Sequence, residues 1–264
     1  MKTKNDFRGK TSMPKFVSLN EQSISPTAIS RIIIGIILLI ILIQFGFFKT
    51  YLRHFPKFEE FTAGPFSNKY TTVMHFHGVM MMGWVWMLLL QPILVLKGKI
   101  QFHRLIGSLS YVLAPLVLLS MYLVNREAYN NLLARDGQTT AVAIMALIFP
   151  AAVFFAILYS LAIFYRHSPA LHMRFMCSTA FLLVVPASDR MFATYFGVQS
   201  PFELSSLILI SVVGIIAVVD SLRTNRISAF TLIFGFVLLH RILWELKYTA
   251  FWQTIGGAIA KIFG

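Results

Sequence analysis

Residues 71–104 read TTVMHFHGVMMMGWVWMLLLQPILVLKGKIQFHR, a mostly apolar stretch with histidines near both of its ends. A helix needs about 20 apolar residues to cross the hydrocarbon core of a bilayer, and this stretch supplies them. His75 and His77 lie at its beginning, and His103 follows the short basic connection at its end. The stretch therefore predicts a membrane-spanning helix with histidines near the two membrane surfaces.

The composition extends this interpretation to the whole chain. Of its 264 residues, 57% are hydrophobic and 12% are charged, whereas a soluble domain is typically about 45–50% apolar and about 25% charged. We therefore expect an all-α integral membrane bundle of about seven transmembrane helices. The predicted spans are about 32–48, 72–96, 105–124, 140–164, 175–196, 204–219 and 227–247.

The chain divides into three parts. Residues 1–29 are polar and basic and predict a surface tail, and residues 30–250 contain the seven-helix transmembrane domain. Residues 251–264 form an amphipathic segment, which is expected to lie on the membrane or to lengthen the last helix. Residues 125–138, NREAYNNLLARDGQ, are interpreted as a loop.

The net charge of +13 comes mostly from lysines and arginines outside the apolar runs. Thirteen of them lie on the N-terminal side of the predicted spans and eight on the opposite side. Because cytoplasmic loops of membrane proteins carry an excess of positive charge, we expect a cytoplasmic N-terminus and no nucleic-acid partner. The single cysteine, Cys177, excludes a disulfide within the chain and a cysteine-bound iron–sulfur cluster.

Ionisable side chains inside the spans need a partner or a function, because a charge at the bilayer centre costs about 2.5–3.5 kcal/mol on insertion scales. One group is expected in the outer half of the bundle: His75, His77, Asp189, Arg190, His240, Arg241 and Glu245. A second group is expected at the cytoplasmic level, where His103 and Arg104 open the third span and His172 and Arg174 open the fifth.

The outer group is the first candidate centre. Imidazole suits haem iron, copper and zinc, and the metal ligands expected at this level are His75, His77, His240 and Asp189. In this interpretation His75 or His77 faces His240 across the bundle. With haem at this level, Asp189 and Arg190 support the ligands from their own helix, whereas with zinc Asp189 is itself a ligand.

The inner group is the second candidate centre. His103 is expected to face His172, with Arg104 and Arg174 holding the acidic groups of a cofactor. Haem b is the expected cofactor, since 25 Phe, 9 Tyr and 4 Trp supply aromatic walls for it; zinc or copper is the alternative. Two such centres would carry electrons across the membrane. The expected partners are the lipid bilayer and a quinone or another membrane redox protein.

Two resemblances accompany this reading. VMHFHGVMMMG resembles the HFH stretch in the catalytic subunit of haem–copper oxidases, in which two histidines of one helix bind two haems; His75 and His77 are the matching residues. A longer pattern resembles an uncharacterised group of bacterial polytopic membrane proteins and implies a multi-pass protein of the bacterial inner (cytoplasmic) membrane. It is formed by His75, His77, Gly78, Trp84, Gln91, His103, Arg104, Gly107, His172 and Arg174.

Two other functions remain open. The first is an intramembrane zinc hydrolase that acts on a lipid-like substrate, because the chain also resembles the seven-span alkaline ceramidases and adiponectin-type receptors. That resemblance implies zinc held by His75 or His77, His240 and Asp189, although Trp244 stands where the family pattern has a second histidine. The second is a transporter or assembly factor whose buried charges form an ion or proton path.

Overall fold

The computed structural model describes residues 24–58, 70–224 and 228–263. Within these ranges the regular secondary structure is helical, with a short 3-10 turn at Leu52–His54 beside the α-helices. The α-helices are α1 (Pro26–Phe48), α2 (Thr72–Leu96), α3 (Ile100–Ser108), α4 (Ser110–Asp136), α5 (Gln138–Phe164), α6 (Pro169–Ser178), α7 (Phe181–Phe196), α8 (Pro201–Thr224), α9 (Ala229–Glu245) and α10 (Ala250–Ala260).

The predicted all-α membrane bundle is confirmed. Within the described residues, six helical segments are long and apolar enough to cross a membrane, counting α3 with α4 and α6 with α7 as one segment each. The pair α9 and α10 makes a seventh if it counts as one span, although its two helices are bent by 105°. The chain is therefore a multi-pass membrane protein, with six or seven candidate spans among the residues that the structure describes.

The first helix begins earlier than predicted. α1 starts at Pro26, inside the stretch that was assigned to the N-terminal tail. Ser25 caps it, because its hydroxyl oxygen accepts a hydrogen bond from the N–H of Ala28, and proline is well suited to the first helical position. Most of the predicted tail, residues 1–23, lies outside the described residues.

The third and fifth predicted spans are each interrupted. Between α3 and α4 the N–H of Leu109 donates to Ile106, three residues back, and between α6 and α7 the N–H of Thr179 donates to Met176 in the same way. These are 3-10 contacts, which tighten the helix locally and change the direction of the side chains that follow. Both interruptions lie next to the polar residues of the candidate site.

The interpretation of residues 125–138 as a loop is wrong, because α4 continues to Asp136. Tyr129 and Leu132 are buried in a cluster that also contains Trp252 of α10. This packing stabilises a helix whose sequence is too polar to be recognised as part of a span. Gly137, with a φ of 83°, is the whole connection to α5.

The C-terminal segment packs against the bundle. The indole N–H of Trp252 donates to the backbone oxygen of Val142 on α5 over 3.1 Å, and Trp252 is buried. Beyond α10, Arg126 Nε donates to the backbone oxygen of Phe263. The segment is therefore a separate helix fixed on α4 and α5, and it does not lengthen α9.

The centre of the bundle is formed by α1, α2, α4, α5 and α7. Trp84, Val117 and Phe155 are among the side chains that are almost fully buried there. α1 approaches α7 so closely that a Cβ added at Gly46 would lie 2.1 Å from the backbone oxygen of Ala187. Large apolar side chains that remain exposed, such as Leu38 and Leu222, face the surroundings of the bundle, as expected for a lipid-facing surface.

Candidate functional site

Three polar or aromatic side chains of α2 form the candidate site. His77, Trp84 and Gln91 are seven residues apart, so they lie on nearly the same face of the helix at intervals of about 10 Å. Each makes a hydrogen bond to a different segment of the bundle. We call these three residues the α2 column.

Gln91 holds the backbone and the imidazole of His103. The hydrogen bonds of its carboxamide are satisfied when the nitrogen faces His103. It then donates to the backbone oxygen of His103 over 3.0 Å and to Nδ1 over 2.5 Å, while the oxygen accepts from the N–H of Gly107 over 3.2 Å. These two backbone groups lie one turn apart on α3. Gln91 therefore fixes α3 against α2 at the position of a histidine.

His103 and His172 lie side by side, although they belong to α3 and α6. Their ring centres are 6.5 Å apart and their planes are perpendicular. His172 Nδ1 lies 2.8 Å from the backbone oxygen of Ala162, an acceptor, so Nδ1 carries the proton and Nε2 keeps its lone pair. We call this pair the inner histidine pair. The prediction that His103 lies near His172 agrees with the structure.

Trp84 connects the middle of the column to the interruption between α6 and α7. Its indole N–H donates to Thr179 Oγ1 over 2.9 Å, and the Thr179 hydroxyl donates to the backbone oxygen of Met176 over 2.7 Å. The ring of Tyr159 on α5 makes an edge contact with Trp84, and the Tyr159 hydroxyl is 3.2 Å from Ser110 Oγ. Four helical segments thus meet around one buried indole.

His77 ends the column within the bundle. Its Nδ1 is 3.1 Å from Ser120 Oγ, and the hydroxyl of Ser120 donates to the backbone oxygen of Val117 over 2.7 Å. Because the single hydroxyl proton is used in that bond, His77 Nδ1 is the donor to Ser120, and the lone pair of His77 lies on Nε2. Arg190 of α7 is close enough to interact electrostatically with His77.

His75 faces away from the column, toward the connection between α1 and α2. Its Nδ1 is 2.5 Å from the hydroxyl of Tyr51, and the ring of Phe58 is 4.5 Å away between centroids. The hydroxyl of Tyr70 donates to the backbone oxygen of Thr50. Burial raises the pKa of Tyr51 and of Tyr70 above the ordinary value, and the proximity of Tyr70 adds to the effect on Tyr51.

His240 lies in a different environment from His75 and His77. Its Nε2 donates to the backbone oxygen of Leu147 over 2.8 Å, and its ring contacts Phe154. Both partners belong to α5, on either side of Pro150. This hydrogen bond joins α9 to α5 beside Pro150, and Asn125 donates to the backbone oxygen of Ile148 in the same turn over 3.3 Å.

Arg104 and Arg174, the arginines next to the inner histidine pair, differ in their exposure and in their contacts. Arg174 Nη2 donates to Asp220 Oδ1 of α8 over 2.9 Å, and both side chains are largely buried. Arg104 is exposed, one position along the chain from His103. The predicted role of holding a cofactor is therefore open to Arg104, whereas Arg174 is already engaged in an ion pair between α6 and α8.

The charged residues that were predicted to form one outer group contact different partners. Arg241 pairs with Glu203 of α8 and with Glu245 one turn along α9. Arg190 donates to the backbone oxygen of Pro186 over 2.8 Å and lies 4.5 Å from the ring centre of Phe47. Asp189 points toward α8, where Ser205 is its neighbour.

The described residues do not bring together three or more His, Cys, Asp or Glu side chains in an arrangement that could hold a metal ion. The outer centre of His75, His77, His240 and Asp189 stays a prediction, since the contacts of its members lie in separate places. The inner histidine pair is the arrangement that the structure offers for a ligand held by two imidazoles.

Several residues of the site were not predicted from the sequence. Ser120, Thr179, Tyr159 and Ala162 supply partners for the α2 column and the inner histidine pair. One signal was available: polar or aromatic groups that recur every seven residues within an apolar span mark one face of that helix. The partners themselves carry no such signal, because serine, threonine and backbone carbonyls are common in any membrane helix.

Comparison with models of protein families, with curated proteins and with solved structures found no match for this chain.

Proposed function

We propose that the protein binds haem b, or another metal centre with two imidazole ligands, at the inner histidine pair and uses it to transfer electrons within the membrane. The observation that supports this proposal is the position of the two rings, 6.5 Å apart between centres. An imidazole nitrogen binds a metal ion at about 2.0–2.1 Å, so two rings on opposite sides of one ion have centres roughly 6 Å apart.

The surroundings of His172 favour a ligand role. Metal-binding histidines commonly donate their second ring N–H to a backbone carbonyl or a carboxylate, which fixes the orientation of the ring. The hydrogen bond from His172 Nδ1 to Ala162 does this and leaves Nε2 as the donor atom. Ala162 is fully buried, so this anchor is rigid.

The hydrogen bond between Gln91 and His103 restricts how His103 can bind a metal. When the nitrogen of Gln91 donates to Nδ1, the proton of the neutral ring lies on Nε2. Binding through Nε2 therefore requires that the proton move to Nδ1 and that Gln91 give up its hydrogen bond to Nδ1. Gln91 would then tune the bound group through the basicity of its ligand.

The distribution of lysines and arginines favours a location in the bacterial cytoplasmic membrane with the N-terminus inside. The inner histidine pair then lies toward the cytoplasm. A quinone or another membrane redox protein would exchange electrons with the centre.

The test is an optical spectrum of the purified protein, oxidised and after reduction with dithionite, with metal analysis on the same sample. We expect a Soret band that shifts on reduction and that is lost in both His103→Ala and His172→Ala. His240→Ala is the control, because His240 contacts α5 and not the inner pair. Each variant is checked for folding by circular dichroism and size-exclusion chromatography.

The other outcomes assign other functions. A colourless protein with about one zinc would support the hydrolase, and a colourless protein without metal would leave a proton or ion path. Loss of half of the absorbance in His240→Ala would show a second centre at the outer level. Full absorbance in both His103→Ala and His172→Ala would reject the inner histidine pair as the site.

A further inference from the structure

The helix α10 carries apolar side chains on two of its sides. One side contains Trp252, Gly256 and Ala260, which are buried where α10 packs on α4 and α5. On another side Phe251 is 59% exposed and Ile255 is 41% exposed. The packing of the bundle explains the first side and leaves the second side open. The proposed redox role uses neither of them.

The position of α10 along α5 places it at one surface of the hydrocarbon layer. The indole N–H of Trp252 donates to the backbone oxygen of Val142, in the second turn of α5. From Val142 to Phe164, where α5 ends, the helix rises about 33 Å, close to the roughly 30 Å of hydrocarbon in a bilayer. The exposed Arg166 follows at the far end. Since α10 is bent by 105° from α9, it lies across the bundle at the near end.

The contact of Gln253 shows in which direction the exposed apolar side faces. Its Nε2 donates to the backbone oxygen of Thr139 over 3.2 Å, and Thr139 lies nearer to the start of α5 than Val142 does. Gln253 therefore points away from the hydrocarbon layer. Phe251 and Ile255 are each two residues from Gln253, and two residues turn an α-helix by about 200°. Their side of α10 therefore faces the hydrocarbon layer.

The residues that flank α10 are typical of a membrane surface. Tyr248 is exposed at the bend between α9 and α10, and Lys247 Nζ lies 4.1 Å from the ring centre of Trp244. Tyrosine and tryptophan are enriched where the hydrocarbon meets the head groups. Lys261, at the other end of α10, is also exposed. Amphipathic helices with such flanks lie in the plane of the membrane surface, with their apolar side among the acyl chains.

We infer that α10 is an interfacial helix that binds the lipid bilayer through the side containing Phe251 and Ile255. Lipid is the occupant of this side, because the space that it faces is the hydrocarbon layer beside α5. The side containing Gln253 and Gly257 faces the head groups and water. Because Trp252 fixes α10 to α5, the insertion of α10 anchors the start of α5 at the membrane surface. The inference does not depend on the proposed redox function.

The test determines the surroundings of single spin labels on the full chain in phosphatidylcholine vesicles. Cys177→Ala removes the native cysteine, and a nitroxide is then attached at Phe251→Cys, Ile255→Cys or Gly257→Cys. Power-saturation electron paramagnetic resonance compares the collisions of each label with oxygen, which concentrates in hydrocarbon, and with a water-soluble nickel complex. Gly257 is the matched control, because it is two residues from Ile255 and a Cβ there has nothing within 4 Å.

We expect labels at Phe251→Cys and Ile255→Cys to show a higher ratio of oxygen to nickel accessibility than the label at Gly257→Cys. Their ratio should approach that of a label at Leu38→Cys, on the lipid-facing surface of α1. A ratio at Ile255→Cys as low as that at Gly257→Cys would place α10 in water and overturn the inference. Spin–spin broadening at Ile255→Cys that disappears on dilution with unlabelled protein would show a second copy on this side and would also overturn it.

Discussion

The indole N–H of Trp84 donates to the hydroxyl of Thr179 at the point where α6 ends and α7 begins, over a distance of 2.9 Å. Trp84 is only 1% exposed, so this hydrogen bond joins the middle of α2 to the interruption of the predicted fifth span in a dry environment. The contact positions two parts of the candidate site relative to each other. On one side of it lies the inner histidine pair, and on the other lies His77.

We expect Trp84→Phe and Thr179→Val each to lower thermal stability, because either change removes this hydrogen bond. Thr179→Val also leaves the buried indole N–H of Trp84 without its acceptor. Hydrogen bonds between membrane helices contribute about 0.6 kcal/mol on average and up to roughly 1.7 kcal/mol. A double-mutant cycle on these two positions should give a coupling energy in that range. A coupling of zero would show that the bond does not stabilise the bundle.

Changes at Gln91 should alter the inner histidine pair. If a redox centre is present, Gln91→Glu should lower its midpoint potential, since a carboxylate beside Nδ1 makes the imidazole of His103 a more basic ligand. Gln91→Leu should weaken binding of the centre, because the hydrogen bonds that join α2 to His103 and Gly107 are lost. Potentiometric titration measures the first effect, and cofactor content per protein measures the second. An unchanged potential in Gln91→Glu would place Gln91 outside the ligand environment.

His240 is expected to stabilise the packing of α9 on α5. His240→Leu removes the donor to Leu147 and should lower the free energy of unfolding by about 0.5–2 kcal/mol. Chemical or thermal unfolding of the wild-type protein and the variant measures the difference. An unchanged stability would show that this hydrogen bond does not stabilise the contact between the two helices.

Two glycines of α1 should respond differently to the same substitution. A Cβ at Gly46 meets the backbone oxygen of Ala187, whereas a Cβ at Gly35 has nothing within 4 Å. Gly46→Ala should therefore destabilise the packing of α1 on α7 by about 1–3 kcal/mol. Gly35→Ala should be neutral or stabilise the helix by up to about 1 kcal/mol. Equal melting temperatures for the two variants would contradict the close approach of these helices.

Tyr51 and Tyr70, the tyrosines around His75, should ionise at a higher pH than an ordinary tyrosine. Burial favours the neutral form of Tyr51 and Tyr70 in the folded protein and raises the pKa of both. Their contribution to stability is therefore complete below the ordinary tyrosine value of about 10 and is lost as the pH rises through the raised values. Absorbance at the tyrosinate band during a pH titration should show an ionisation step at high pH. The amplitude of this step should be smaller in Tyr51→Phe and in Tyr70→Phe. Tyr248→Phe, at an exposed position, should leave that step in place.

The apolar runs allowed the spans to be predicted because the requirement for crossing a membrane is local. A helix satisfies its own backbone hydrogen bonds, and its length in apolar residues is set by the bilayer alone. For the same reason the prediction failed for residues 125–136. Their helix depends on contacts of Tyr129 and Leu132 with α10, which no property of the segment itself reveals.

The inner histidine pair was predicted because His103 and His172 both lie at the start of a helix on the same side of the membrane, a property that can be counted along the chain. The separate positions of His75, His77 and His240 were not predictable in this way. Two histidines of one helix that are two residues apart point in different directions. The position of His240 along its helix predicts its depth in the membrane, but it does not predict which helix its ring faces.

The sequence by itself determined the class of protein and the approximate positions of the spans, and it predicts the side of the membrane on which each histidine lies. These follow from hydrophobic length and from the distribution of charge, which are additive along the chain. Only the tertiary structure decided that Gln91 contacts His103, that His103 lies beside His172, that Trp84 reaches Thr179, and that His240 contacts α5. Those contacts depend on helix rotation and packing, which are set by many weak interactions between segments distant in sequence.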